Sequence, residues 1–160
     1  MKKLFSLFLV LAMALSVSVS GFAQETLPQK VQSSTVSTKD LGNGLTVETK
    51  TTIFSTVNAA RAGYSARSAT RTDTYKANGS TVATVTLTAN FGYDGSSAWV
   101  ISKSASHSTV SGWSYGSESL EAYGDTASLS AVLTQWVGII PIGTVDVDIS
   151  LTCSPTGGIS

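Results

Sequence analysis

His107 is the only histidine in the sequence, and it could serve as the base of a Ser-His-Asp triad. Such a triad also needs a serine on a sharp turn, a carboxylate that orients the imidazole and an oxyanion hole. The sequence has no Gly-x-Ser-x-Gly elbow, and serine is so abundant that a neighbouring serine indicates little. We therefore expect His107 to lie on the surface of a strand, and we assign no catalytic residue.

Asp146 and Asp148 are two positions apart, so on a strand their side chains point the same way and their Cα atoms lie about 7 Å apart. Glycoside hydrolysis uses two carboxylates that face each other across a cleft, which this arrangement does not provide. Together with a loop carboxylate such as Asp125, the pair could instead bind Ca²⁺ through oxygen ligands. The simpler interpretation is a solvated strand face, and we predict neither a bound metal nor a cofactor.

Cys153 is the only cysteine and ends a stretch of alternating apolar residues. The position favours a buried thiol, because cysteine behaves as a small hydrophobic residue. An exposed thiol that pairs between two chains is the alternative. No basic residue lies near Cys153 in the sequence to lower its pKa, which argues against a nucleophile.

Six aromatic side chains, Tyr93, Trp99, Trp113, Tyr115, Tyr123 and Trp136, are suited to stacking on sugars or packing at a protein interface. Four of them are our candidates for an exposed platform. They are Trp99, Trp113, Tyr115 and Trp136. The alternative is that aromatic residues such as Trp113 and Phe91 fill the core. Both interpretations remain open from the sequence.

Residues 136–143 form the most hydrophobic stretch after the N-terminal segment. Gly138, Pro141 and Gly143 interrupt regular strand pairing, which predicts a bend or a crossing between strands. If this bend packs on the core, Ile139 and Ile140 are buried. If it projects, the two isoleucines form an apolar tip suited to a protein partner or a membrane.

The composition excludes several classes of protein. Charged residues make up 12% of the chain, about half the usual share. One cysteine excludes a disulfide framework, and one cysteine with one histidine excludes a Cys/His zinc site with four ligands. A net charge of zero argues against nucleic-acid binding, because neutralising phosphates needs clustered lysine and arginine.

Residues 1–23 have the three parts of a secretory signal peptide. A lysine pair forms the positive start, residues 4–15 are apolar, and Gly21 and Ala23 are the small residues that precede a cleavage site. The apolar part is shorter than the ~20 residues of a membrane span. We expect cleavage after Ala23 and a protein released outside the cell without a stable membrane anchor.

Cleavage makes the chain acidic, because it leaves eight basic and ten acidic residues. The eight basic residues counted are lysines and arginines, and all of them precede residue 104, whereas five acidic residues follow it. This asymmetry is consistent with acids on the solvated sides of strands, or with a face that binds cations or a basic partner.

Alternating hydrophobicity predicts that the rest of the chain consists of strands. The clearest strand, residues 81–93, follows an Asn78-Gly79 pair, which favours the type I′ turn of a hairpin. One face of this strand is rich in threonine, and the other is apolar. The apolar residues are Val85, Leu87, Ala89, Phe91 and Tyr93. The last strand, residues 142–153, alternates in the same way.

Five other strands complete a predicted set of about seven. They are expected at about 45–57, 70–77, 97–109, 113–122 and 126–137. Residues 24–42 show no sustained period and are interpreted as a flexible tail or linker, and residues 58–69 as a crossing loop. Short strands without a long helix predict an all-β, antiparallel, immunoglobulin-like sandwich over residues 43–160.

Several runs of residues resemble those of small secreted β-rich proteins common in Firmicutes, a family without a characterised activity. The similarity covers roughly residues 42–160 and is strongest at Tyr93-Asp94-Gly95, Gly112-Trp113-Ser114 and the final Leu-Thr-Cys. Some relatives carry a second cysteine in the strand after the Tyr-Asp-Gly turn, where this chain has Ala98-Trp99-Val100. The resemblance implies a secreted β-domain and no particular chemistry.

Together these features predict a secreted, non-enzymatic β-sandwich that serves as an extracellular binding or surface-interaction module. Its partner is open, with a carbohydrate or an extracellular protein as candidates and nucleic acid disfavoured. Two alternatives are a secreted hydrolase and a small antimicrobial or toxin-like protein. The second alternative rests on the small size and on the apolar residues 136–143.

Overall fold

The computed structural model describes residues 30–55, 57–59 and 63–160, and within them the chain forms nine strands and no helix. The strands are β1 (Val31–Gly42), β2 (Leu45–Phe54), β3 (Val57–Ala59), β4 (Tyr64–Ala77), β5 (Ser80–Tyr93), β6 (Ala98–Thr109), β7 (Trp113–Tyr123), β8 (Thr126–Val137) and β9 (Ile140–Thr152). Consistent with this, the described part contains no helix able to cross a membrane. The predicted signal peptide, residues 1–23, and the first six residues of the predicted tail lie outside the described residues.

The strands form two antiparallel sheets. The large sheet has the order β1-β2-β4-β5-β6, with the short β3 paired to the beginning of β4, and the small sheet has the order β7-β8-β9. The prediction of an all-β antiparallel fold is therefore confirmed. The immunoglobulin-like arrangement is wrong, because the long strands follow one another as two meanders, whereas immunoglobulin domains use Greek-key connections.

The two sheets pack face to face through the side chains that strand alternation places inward. The fully buried residues include Val85, Leu87, Ala89 and Phe91 of β5, Leu129 and Leu133 of β8, and Val147, Ile149 and Leu151 of β9. This confirms the inward positions predicted for β5, except that Tyr93 is only partly buried. The core thus lies between the middle of the large sheet and the small sheet.

The outer face of the large sheet is covered by hydroxyl groups. Thr70 lies opposite Thr88 and Thr72 opposite Thr86, and their hydroxyl oxygens are 3.2 and 3.0 Å apart. Threonine fits this position because its β-branched side chain packs on a pleated surface while its hydroxyl bonds across strands. Because hydroxyl groups cover this face, it needs few charged side chains, which agrees with the low content of charged residues in the chain.

Two Asn-Gly pairs close hairpins of the large sheet. Asn78 and Gly79 have φ values of 48° and 82°, which confirms the predicted turn between β4 and β5. Asn43 and Gly44, with φ values of 52° and 75°, join β1 to β2 in the same way. Positive φ at both central residues matches the right-handed twist of the flanking strands.

The predicted tail is wrong for residues 31–42, which form β1. This strand pairs with β2 along its length, with Lys39 opposite Val47 and Ser37 opposite Thr49. Every residue of β1 is exposed. Because neither face of β1 is buried, its sequence needs no alternation of apolar and polar residues. A prediction based on that alternation therefore does not detect the strand.

The predicted crossing loop over 58–69 is also too long. Residues 64–69 belong to β4, and Ser68 and Ala69 are buried there. The strand count rises from the expected seven to nine through β1 and β3, while β6, β7 and β8 lie within a residue of their predicted bounds.

Replacement of Leu129 by alanine tests the packing of the two sheets. Leu129 is fully buried, so the change should remove about 2–5 kcal/mol from the free energy of unfolding, measured by urea denaturation. Ser130→Ala, at the next and exposed position, is the matched control and should alter stability by no more than ~0.5 kcal/mol. Equal effects of the two changes would contradict the inward placement of Leu129.

Candidate functional site

The hairpin that joins β8 to β9 ends in an exposed group of large apolar side chains. Ile139 is 92% exposed, Ile140 63% and Val137 62%, and the flanking residues Trp136 and Ile142 are exposed as well. We call these five residues the apolar tip. The structure therefore favours the projecting interpretation of residues 136–143 over a bend packed on the core.

The geometry of the hairpin forces the tip outward. Val137 pairs with Ile140, so Gly138 and Ile139 are the two central residues of the turn. Gly138 has a φ of 61°, which suits the first position of a type II′ turn and leaves Ile139 at the apex. In the part of the chain that the structure describes, no element covers the Ile139 side chain at this apex, which is 92% exposed.

The base of the tip is held by β7 and the turn before it. The Trp136 amide donates a hydrogen bond of 2.8 Å to the Gly112 carbonyl, and the Trp136 indole Nε1 donates one of 2.8 Å to the Ser114 hydroxyl. Val110, also exposed, lies in the same turn, where the Trp113 amide donates to its carbonyl. These bonds fix the direction in which the hairpin leaves the sheet.

The tip lies in a long stretch without charge. No acidic or basic residue occurs between Asp125 and Asp146, and no lysine or arginine occurs after Lys103. The hydroxyl, amide and apolar side chains of this stretch give the hairpin no means of attracting a partner by charge. A contact at the tip would bury apolar side chains.

The four aromatic residues predicted to form a platform do not lie together on one surface. The Trp99 ring meets Tyr64 edge to face, with ring centres 5.3 Å apart, and lies over Gly92, where a Cβ atom would collide with it. Trp113 and Tyr115 are partly buried against the core. Among the four, Trp136 alone belongs to the apolar tip.

His107 and Tyr115 close one side of the molecule, where β6 meets β7. Their rings stack with centres 3.8 Å apart and an interplanar angle of 16°. The Tyr115 hydroxyl donates a hydrogen bond of 2.8 Å to Glu118, which a bulge in β7 places beside it. The carboxylate here binds the phenol, and the imidazole of His107 is held by ring stacking, which is not the geometry of a triad base.

The predicted acidic residues are spread over the small sheet. Asp146 and Asp148 are exposed on β9, opposite Val132 and Ser130. Asp125 lies in the turn before β8 and accepts a hydrogen bond from the Thr126 hydroxyl. The Asp125 carbonyl accepts a hydrogen bond from the Cys153 amide, and Cys153 is five residues beyond Asp148, so Asp125 is about 17 Å along the strand from Asp148. No group of three potential metal ligands among His, Cys, Asp and Glu occurs in the described residues.

Cys153 is fully buried directly after β9, in accordance with the buried thiol expected from its position. Burial raises the pKa of the Cys153 thiol, and the charge of Arg67 only partly opposes this effect. A buried, protonated thiol is a poor nucleophile and cannot reach a second chain.

A buried polar cluster on β4 was missed by the sequence interpretation. Asp73 is 4% exposed, and its Oδ1 lies 3.6 Å from Arg71 Nε on the inner face of the large sheet. Burial raises the pKa of the neighbouring Tyr75, and the carboxylates of Asp73 and Asp148 raise it further. The alternation of residues along β4 could have placed Asp73 on the inner face. In the sequence, however, Asp73 lies between threonines, as an aspartate on a solvated strand face would.

Comparison of the chain with protein-family models, with curated proteins and with solved structures finds no match in any of the three.

The bond between Tyr115 and Glu118 generates a prediction about alkaline stability. Partial burial raises the pKa of Tyr115, and the bond to Glu118 raises it further, so the fold favours the neutral phenol. The resulting stability is complete below the unfolded pKa of about 10 and is lost as pH rises from there toward the folded pKa. Tyr115→Phe should cost about 1 kcal/mol or less at neutral pH and should flatten this alkaline loss.

Urea denaturation of both proteins between neutral and alkaline pH measures this difference. Tyr75 is present in both proteins, so its own raised pKa cancels in the comparison. Parallel loss of stability in the two proteins would show that Tyr115 is not held as the neutral phenol.

Proposed function

We propose that this protein is exported and acts outside the cell as a non-enzymatic binding module that contacts its partner through the apolar tip. The single observation that supports the contact surface is the exposure of Ile139, Ile140 and Val137 at one hairpin end. Isolated exposed apolar residues are normal on proteins, but a contiguous patch is typical of an interaction site.

The energetic argument for a partner is that the apolar side chains of the tip are exposed to water, and burying them in a complex would lower the free energy of that complex. Burying one exposed valine or isoleucine side chain stabilises a complex by about 1.5–3 kcal/mol. The turn itself does not require these residues, because a type II′ turn of glycine and a polar residue would close the same hairpin. The apolar side chains thus have no role in forming the hairpin, and a contact outside the molecule accounts for them.

Export is supported by the charged start, apolar segment and small residues of positions 1–23, together with the resemblance to secreted β-rich proteins. The non-enzymatic part of the proposal is supported by His107, whose ring is stacked on Tyr115. A carbohydrate platform is less well supported than the tip, because Trp99, Trp113 and Trp136 are not brought onto one surface.

Retention on cell envelopes tests the tip. The full-length gene is expressed in the producing organism, and the protein purified from the medium is sedimented with isolated envelopes. We expect the wild-type protein to be retained and Ile139→Ser/Ile140→Ser to be released, because the variant loses the apolar surface that the contact would bury. The exposed position of both residues means that the variant should keep the wild-type urea midpoint.

The matched control is Ile101→Ser. Ile101 is an exposed isoleucine of β6. It lies away from the tip, because the amide of the preceding residue, Val100, donates a hydrogen bond to the carbonyl of Gly124, at the other end of the small sheet. This control should be retained like the wild type. Equal retention of the tip variant would overturn the proposed contact surface.

The N-terminus of the protein in the medium tests export separately. Mass spectrometry should find a chain that begins at Gln24, because cleavage is expected after Ala23. A chain that keeps residues 1–23 and stays with the cells would contradict the proposed secretion, whatever the role of the tip.

A further inference from the structure

We infer that the partner of the apolar tip is a protein that adds an extended, basic segment to the free edge of β9, as a fourth strand of the small sheet. This inference rests on the proposed function, because it names the class of partner for the same surface. Ile140 and Ile142 of the tip lie on β9 itself, on the same exposed face as Asp146 and Asp148. A strand that pairs with β9 therefore leads directly to the tip.

The outer main-chain groups of β9 are open to a partner. β9 is an edge strand of the small sheet, with β8 on its other side. At its end, the Thr152 amide donates a hydrogen bond of 2.9 Å to the Ser160 carbonyl, and the Ser160 amide donates one of 3.0 Å to the Thr152 carbonyl. Because alternate residues direct these groups to the same side, those of every second residue from Thr144 to Ser150 face the free edge. In the described part of the chain, no main-chain group bonds to them.

Residues 159–160 show that this edge accepts a further strand. They run antiparallel to the end of β9, where Ile159 pairs with Cys153 and Ser160 bonds to Thr152. The next residues of β9, 144–150, present about 20 Å of edge in the same direction. Such an edge suits β-strand addition, in which main-chain hydrogen bonds give affinity and alternate side chains give specificity.

The large sheet provides a floor for the added strand. β9 packs against β4, and Asp148 is near enough to Tyr75 of β4 for its charge to raise the pKa of Tyr75. Beyond β4 lies β2, whose inward residues Thr49 and Thr51 are only partly buried in the described structure. A fourth strand of the small sheet would lie over β2, because neighbouring strands are spaced by about 4.8 Å in both sheets.

The free edge of β9 lacks the features that protect β1. β1 is an edge strand of the large sheet, where it carries Lys39 and departs from regular register with β2 near both ends. Lysine residues and bulges are common means of preventing an edge strand from pairing with another chain. Residues 144–150 contain neither lysine nor proline, and they pair with β8 in unbroken register. An added strand therefore fits β9 better than β1.

Charge selects the kind of strand. Asp146 and Asp148 are exposed on β9, and opposite charges on neighbouring strands stabilise a pair, whereas like charges destabilise it. Lysine or arginine at alternate positions of the added strand would match the two carboxylates. A second copy of β9 would not, because antiparallel pairing about Val147 places Asp146 opposite Asp148.

The other face of the added strand meets a different set of charges. On the inner face of the large sheet, Arg71 is already paired with Asp73, and Lys39 of β1 adds a positive charge. Lys76 is bound to Glu48 at 2.8 Å and so is neutralised. The floor is therefore positive overall, which disfavours basic side chains that point toward it. We expect uncharged residues, such as threonine or valine, between the basic ones.

The test is binding of peptides to the exported protein, measured by fluorescence anisotropy. The probe is a labelled seven-residue peptide with blocked ends that alternates lysine with threonine. We expect this peptide to bind and its counterpart with glutamate in place of lysine not to bind. Asp146→Asn/Asp148→Asn should weaken binding of the lysine peptide about five- to tenfold. The matched control, Glu118→Gln/Glu121→Gln, removes two exposed charges from β7, the other edge strand of the small sheet, and should bind like the wild type.

N-methylated peptides separate strand addition from simple attraction between charges. A lysine opposite Asp146 or Asp148 directs its main-chain N–H toward β9, whereas the threonines between the lysines direct theirs away. Methylation of the lysine amides should therefore abolish binding, and methylation of the threonine amides should preserve it. Neither change alters the protein, so the comparison does not depend on the folding of a variant.

Three results would overturn the inference: no binding of the lysine peptide, equal weakening by the two double variants, or equal binding of the two methylated peptides. Binding that appears only after deletion of residues 24–29 would assign the edge to that segment of the chain and would also overturn it. Envelope retention that depends on the apolar tip but not on Asp146 and Asp148 would leave the proposed contact surface without strand addition. Retention that no tip variant reduces would remove the proposed function and the inference with it.

Discussion

Burial of one face of each sheet against the other is the interaction on which the rest of the structure depends. Leu87 and Phe91 of the large sheet and Leu129, Leu133 and Ile149 of the small sheet are all fully buried or nearly so. Each sheet has only this one apolar face, so the opposite faces must be compatible with water. In the large sheet that requirement is met by rows of threonine and serine, which satisfy one another across strands with few charges.

The same interaction determines what is left outside. The small sheet has three strands and the large sheet five long ones, so β1 extends beyond the covered area and is exposed throughout. The hairpin of β8 and β9 likewise continues past the buried part of β8, where Leu133 is buried but Val137 is exposed. The apolar tip is therefore not an unfinished part of the core. It lies at a different end of the hairpin from the buried residues. Packing of the two sheets therefore does not explain why its side chains are apolar, whereas contact with a partner would.

Period-two alternation was sufficient to predict the buried faces of β5 and β9, because Val85 to Phe91 and Val147 to Leu151 alternate with polar residues. It could not find β1, whose faces are both exposed, although Asn43-Gly44 carries the same turn signal as Asn78-Gly79. The sequence also indicated an apolar segment around Ile139 but left its exposure open, since that depends on where the hairpin ends relative to the other sheet. The stacking of His107 on Tyr115 joins two strands from different sheets, and no local pattern could predict it.

Hydrogen–deuterium exchange of the exported protein, free and bound to cell envelopes, tests the central claim that the apolar tip is the contact surface. The account predicts slower exchange on binding that is confined to residues 136–142, to the free edge of β9 over residues 144–150 and to the neighbouring turn around Val110. The buried strand β5 and residues 126–135 of β8 should be protected equally in both states. Slower exchange on the outer face of the large sheet or along β1, with residues 136–142 unchanged, would contradict it.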